Sequence, residues 1–207
     1  MNNEILKRII SSIILIPISL FFIIKGSYFF LFFLFIIFLA TSYEWHHMSK
    51  NKPYYIFGLI FLFLSFVSAY LFRATFFLYD FLILIIICVF TDIGGYIFGK
   101  LLKGPKLTKI SPNKTYAGMF GGYILSIISY SFFVENYTLN QIQLSDIGYV
   151  LLVSSISQLG DLAVSYFKRR SKIKNTGNLL PGHGGVLDRI DGLIFVLPII
   201  YAYNLFI

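Results

Sequence analysis

The stretch IGYVLLVSSISQLGDLAVSYFKRR, residues 147–170, decides how the rest of the chain is read. Apolar residues dominate from Ile147 to Phe167, close to the roughly 20 residues a helix needs to cross a bilayer. The stretch ends on the cations Lys168, Arg169 and Arg170. Inside it Ser154, Gln158, Asp161, Ser165 and Lys168 recur every three or four positions, so a helix puts them on one face. An Asp in a membrane helix costs about 2.5–3.5 kcal/mol on insertion scales. The polar stripe is therefore expected to line a water-filled cavity. A structural ion pair between helices is the plainer alternative.

Six further apolar segments surround this one, at about 8–25, 28–45, 54–72, 76–98, 117–134 and 191–207, giving seven expected spans with 147–167. The fold class is all-α: a polytopic transmembrane helix bundle, because in lipid a helix satisfies its own backbone. Residues 1–75 form the N-terminal transmembrane helices and 76–207 a second, chemistry-bearing segment of one continuous bundle. Pro17 is tolerated inside the first span. Gly26 and Ser27 make a tight link to the second, and Pro53 marks the start of the third. Lys7 and Arg8 before the apolar run Ile9–Ile24 resemble a signal peptide, but no small-residue cleavage site follows, so a retained helix is expected.

Composition agrees. Of 207 residues, 57% are hydrophobic and only 13% charged, about half the charged share of a soluble domain. Cys88, the single cysteine, excludes an intrachain disulfide and reads as a small buried hydrophobe. The net charge of +8 is not read as a nucleic-acid footprint, because it is distributed by side. Lys7, Arg8, Lys50, Lys52, Lys100, Lys103, Lys106, Lys109, Lys114, Lys168, Arg169, Arg170, Lys172, Lys174 and Arg189 share one side, and only Lys25 and Arg73 fall on the other. By the positive-inside rule the N-terminus and the basic loops are cytoplasmic. Asn136-Tyr-Thr138 matches a glycosylation sequon on the outer side, which means nothing in a bacterium.

Two of the cytoplasmic loops differ from the rest: TDIGGYIFGKLLKGPKLTKISPNKTYAGMFGG at 91–122 and QLGDLAVSYFKRRSKIKNTGNLLPGHGGVLDRID at 158–191. Asp92, near the cytoplasmic end of the fourth span, precedes Gly94, Gly95 and Gly99, which permit close helix packing or close ligand approach. Asp188 and Asp191 flank Arg189. Asp92, Asp161 and Asp188 are expected to converge at one membrane depth. Oxygen ligands beside phosphate-binding cations suit Mg²⁺, whose shell substrate phosphates complete. Gly184 and Gly185 in PGHGG can offer backbone N–H groups to phosphate. Ser111 and Lys114 in SPNKT can contact phosphate too. His183, between glycines and beside carboxylates, is expected to touch phosphate or order the site. The 168–174 cluster either neutralises a polyphosphate or anchors to anionic headgroups. His46 and His47 read as interfacial.

Ser165-Tyr-Phe-Lys168-Arg169, followed after a spacer by Leu180-Pro-Gly-His183-Gly-Gly-Val-Leu-Asp188-Arg189-Ile-Asp191, resembles the signature of the phosphatidate cytidylyltransferase (CDP-diacylglycerol synthase) family. The resemblance covers about 91–192, with TDIGGY and SPNKT as further motifs. It implies a membrane nucleotidyltransferase that joins CTP and phosphatidic acid to give CDP-diacylglycerol and pyrophosphate. It implies Asp161 and Asp188 as metal-binding acids for Mg²⁺, with a second cation such as K⁺. Lys168, Arg169, His183 and Arg189 match its polar signature positions; Lys168, Arg169 and His183 are carried with Asp161 and Asp188 as catalytic, and Asp92, Ser111, Lys114, Gly184, Gly185, Arg189 and Asp191 as substrate-binding. It further implies a homodimer in the bacterial inner membrane, with the active site facing the cytoplasm, membrane lipids as surroundings and no nucleic-acid partner. Asn175 stands where the family usually has Asp, and Tyr116 and Ala117 where it commonly has Trp and Glu. The rival readings are an ion-coupled transporter, a CTP-using polyprenol kinase and an inactive paralogue. The nearly featureless outer side speaks against the transporter.

Overall fold

The computed structural model describes residues 2–137 and 143–206. The sequon at 136–138 runs outside the described residues. Among the described residues eight helices follow one another: α1 Asn2–Lys25, α2 Ser27–Ser49, α3 Tyr55–Thr75, α4 Leu78–Leu102, α5 Tyr116–Tyr137, α6 Leu144–Arg170, α7 Leu187–Ile190 and α8 Leu193–Phe206. Six of them, α1 to α6, are long and apolar enough to cross a membrane. Large apolar side chains such as Ile13, Phe57 and Phe63 point outward, as lipid-facing residues do. The protein is an all-α integral membrane protein.

The seventh expected span is shorter than its apolar run suggests. The Asp191 carboxylate accepts the Gly192 N–H at 3.0 Å, and the Gly192 carbonyl accepts from Phe195 and Val196. This turn delays α8 to Leu193 and leaves 14 residues, about 21 Å of helix. The second span is longer than expected, because α2 continues through the histidines to Ser49.

Two compact units divide the chain: residues 1–78 with 167–207, and residues 79–166. In the first, α1 packs on α2, α2 on α3, and α3 on α8. Gly26 alone links α1 to α2, at φ +64°, a conformation glycine adopts without penalty. Trp45 of α2 packs against Gly58 of α3 and donates its indole N–H to the Tyr55 carbonyl at 2.9 Å. A Cβ at position 58 would sit 1.9 Å from the indole ring.

In the second unit α4 and α5 meet through glycine. A Cβ on Gly94 would lie 2.4 Å from the Gly121 carbonyl, and one on Gly118 would lie 2.6 Å from the Gly95 carbonyl. Backbones this close gain dispersion contacts that replace the hydrophobic drive missing in lipid. Packing thus accounts for Gly94 and Gly118, whereas a Cβ on Gly95 would meet only the Gly118 carbonyl at 3.8 Å. Hydroxyls tie α6 to its neighbours: Thr91 donates to Ser154 at 2.9 Å, and Tyr123 and Ser155 are hydrogen-bonded at 2.9 Å.

Candidate active site

Within the second unit a polar cavity of about 330 Å³ opens among α4, the 103–115 loop, α5 and α6. Asp92 comes from α4, Ser111 and Lys114 from the loop, and Gln158 and Asp161 from α6. The loop is shaped by a left-handed Lys103–Gly104 pair and an antiparallel bridge between Lys106 and Thr115. Leu107 N–H donates to the Lys114 carbonyl at 2.8 Å, which turns the Lys114 side chain inward. Thr115 then caps α5, its hydroxyl accepting the Gly118 N–H at 3.1 Å.

The Lys114 ammonium forms an ion pair with the Asp161 carboxylate, and both side chains are about one-quarter exposed. Ser165 donates to the other Asp161 oxygen at 3.4 Å. The expected stripe on α6 therefore divides. Gln158 and Asp161 face the cavity, whereas Ser154 is buried against Thr91. Asp92 and Asp161 bring two carboxylates to one cavity. Ser111, Asn113 and Thr115 add neutral oxygens. Oxygen donors of this kind, few in number, fit Mg²⁺ held by one or two carboxylates and completed by nucleotide phosphates. Among the described residues no group of three or more His, Cys, Asp and Glu side chains forms a complete metal cage.

The remaining signature residues belong to the first unit. Lys168 donates to Asp188 Oδ1 at 2.7 Å, in a largely buried pair. Asp188 Oδ2 accepts the N–H groups of Thr176 at 2.9 Å and Gly185 at 3.3 Å. The PGHGG turn is closed by a Leu180–Gly184 bridge, with Gly182 at φ +75° and Gly184 at φ +89°. Its N–H groups are already engaged: His183 and Gly184 donate to the Leu180 carbonyl, and Gly185 to Asp188. The open phosphate cradle expected at Gly184 and Gly185 is a self-bonded turn instead. Arg189 donates to the His183 carbonyl, and the His183 ring contacts Ser11 at 2.8 Å and Ser12 at 3.3 Å. Arg169 reaches the Ile173 carbonyl at 3.3 Å, and Asp191 is buried at the start of α8.

Sequence reasoning missed Glu44. This α2 carboxylate is 1% exposed. Its Oε2 accepts the Thr176 hydroxyl at 2.9 Å and Leu187 N–H at 2.8 Å, and its Oε1 accepts Val186 N–H at 2.8 Å. Gly177 and Gly185 wrap it so closely that a Cβ on either would lie within 3 Å of a carboxylate oxygen. The signal was available: an acid in an apolar span, the criterion that picked out Asp161.

Comparison with known proteins places this arrangement. The model of the "Cytidylyltransferase family" matches residues 55–207. A phosphatidate cytidylyltransferase of Rickettsia bellii is 36% identical over 215 residues, covering 98% of this chain and 92% of its own. That of Rickettsia felis is 34% identical over 99% of this chain and 94% of its own. That of Staphylococcus aureus (strain COL) is 46% identical over 114 residues, 53% of this chain and 43% of its own. With the match running through both motif-bearing loops and nearly end to end in the rickettsial relatives, the chain belongs to the cytidylyltransferase family.

Proposed function

We propose that this chain is a membrane phosphatidate cytidylyltransferase, converting CTP and phosphatidic acid to CDP-diacylglycerol and pyrophosphate for phospholipid biosynthesis. The observation that carries this reading is the likeness to enzymes of that name over 98% of the chain. The cavity around the Lys114–Asp161 pair supports it, because it gathers a loop cation and neutral oxygens beside carboxylates carried on membrane helices.

In the reaction a phosphate oxygen of phosphatidic acid bonds to the α-phosphorus of CTP. The bond from that phosphorus to the bridging oxygen breaks, and pyrophosphate leaves with the electron pair. The nucleophile is already an anion, so no strong general base is required. The barrier is one of position and charge. Lys114 is held in place by Asp161 and supplies positive charge where phosphates gather. Lys168 does the same beside Asp188, and Arg169 adds to the field. Asp161, with Asp92 in its cavity, and Asp188 are the acids assigned to Mg²⁺, which when bound neutralises phosphate charge. A second cation such as K⁺ belongs to the same proposal. His183, Gly184, Gly185, Arg189 and Asp191 act by shaping the turn that carries Asp188, and Ser111 by contacting substrate from the 103–115 loop.

The fifteen-to-two division of basic residues supports a cytoplasmic N-terminus and a site that faces the cytoplasm of a bacterial inner membrane. Phosphatidic acid then keeps its acyl chains in lipid while its phosphate enters the polar site. Homodimer assembly completes the proposal and is read out by cross-linking in detergent.

The test is purified protein in detergent with radiolabelled CTP, phosphatidic acid and Mg²⁺. A labelled liponucleotide is expected, lost on chelation and in Asp161→Asn. Normal turnover in that variant overturns the site assignment. Absence of any liponucleotide from folded wild-type protein overturns the activity.

A further inference from the structure

The two basic residues that break the charge asymmetry, Lys25 and Arg73, do not lie at random. Both line one polar cavity of about 250 Å³, with Ser27 and Tyr70 beside them. Helix C-termini attract cations, and Arg73 Nε donates to the Ile23 carbonyl at 3.2 Å, which accounts for Arg73 as a cap of α1. Lys25, in the last turn of α1 with its ammonium 6.0 Å from the centre of the Phe21 ring, fits the same role, but that role does not account for what adjoins the cavity. Tyr70 also lines a second, apolar cavity of about 170 Å³ between α2 and α3, walled by Leu31, Leu34, Phe63 and Val67. Along both helices the polar cavity passes into the apolar one within a turn.

A paired cation site continuing into an apolar groove along a membrane helix has the chemistry of an amphiphile with an anionic head. We propose that these two cavities together bind one anionic glycerophospholipid. Its phosphate sits between Lys25 and Arg73, and an acyl chain descends between α2 and α3 past Leu34 and Val67. This is not the substrate site. Ser27 and Glu44 mark opposite ends of α2, about 25 Å apart at 1.5 Å per residue, and the signature turn is held at the Glu44 end. A free phosphate would satisfy the cations but leave the groove without an occupant.

Native mass spectrometry of the full chain in detergent tests this, with phosphatidylglycerol, phosphatidylcholine and inorganic phosphate as probes. Wild type should retain phosphatidylglycerol ahead of phosphatidylcholine. Lys25→Gln should lower that preference about fivefold. Val67→Trp should fill the groove and weaken retention of both lipids, while cytidylyl transfer persists in each variant. Unchanged retention in both variants overturns the proposal. So does phosphate displacing the lipid as readily from wild type as from Val67→Trp, which would mark a bare anion site. Should Val67→Trp lose its thermal transition, Lys25→Gln decides alone, because it leaves the packing intact.

Discussion

Glu44 of α2 accepts a 2.9 Å hydrogen bond from the Thr176 hydroxyl, joining the N-terminal helices to a loop 132 residues away. With the Val186 and Leu187 N–H groups, this carboxylate is the acceptor around which the signature turn closes. Glu44→Ala would leave three donors without a partner in a buried setting, each worth about 1–3 kcal/mol. Thermal unfolding in detergent should show a loss of about 3 kcal/mol or more. Thr176→Val, which deletes one donor, should lose only about 1 kcal/mol. Equal effects of the two would mean that Glu44 does not organise the loop.

Lys114 and Asp161 should behave as one unit in turnover. Either Lys114→Met or Asp161→Asn is expected to lower kcat by about 10²–10³, the usual effect of removing a charged stabiliser from a phosphate site. The double variant should be little worse than the more damaged single one, because groups acting together are not additive. Multiplicative losses in the four-way comparison would separate their roles.

Lys168→Met should destabilise the protein by about 3 kcal/mol or more, because it strands the largely buried Asp188 carboxylate. Lys168→Met combined with Asp188→Asn should recover part of that stability without recovering turnover. Thermal midpoints and liponucleotide yield, measured side by side, distinguish the structural from the chemical share.

Glycine positions offer an internal control. Gly94→Ala and Gly121→Ala would drive a methyl to 2.4 Å from a carbonyl oxygen and to 2.3 Å from Phe98 Cβ, and both should destabilise α4–α5 packing by about 1–3 kcal/mol. Gly148→Ala, where no atom lies within 4 Å, should be neutral or stabilise α6 by about 0.5–1 kcal/mol. The same thermal assay reports all three.

The helical bundle was legible because lipid imposes a length and a polarity on every span, and α1 to α6 obey both. Asp161 was legible for the converse reason: a carboxylate in such a span needs a partner. Its partner Lys114 was named as a phosphate contact, not as the other half of an ion pair, because local spacing says nothing about a loop folding back on α6. Glu44 shows the same limit more sharply, since its three donors lie far along the chain. The PGHGG turn misled in another way. Glycines that look open to phosphate are also those a tight self-bonded turn requires, and only the hydrogen bonds from His183, Gly184 and Gly185 tell the two apart.

The glycine seam between α4 and α5 has a bearing on genetics. The wall of the Asp161 cavity is set by a backbone-to-backbone distance that tolerates less than one methyl group. Random mutagenesis that selects for growth at low but not high temperature should therefore return alleles at Gly94, Gly118 and Gly121 more often than at the charged positions. A thickened seam would loosen with heat, whereas loss of the Asp161 carboxylate would prevent growth at every temperature.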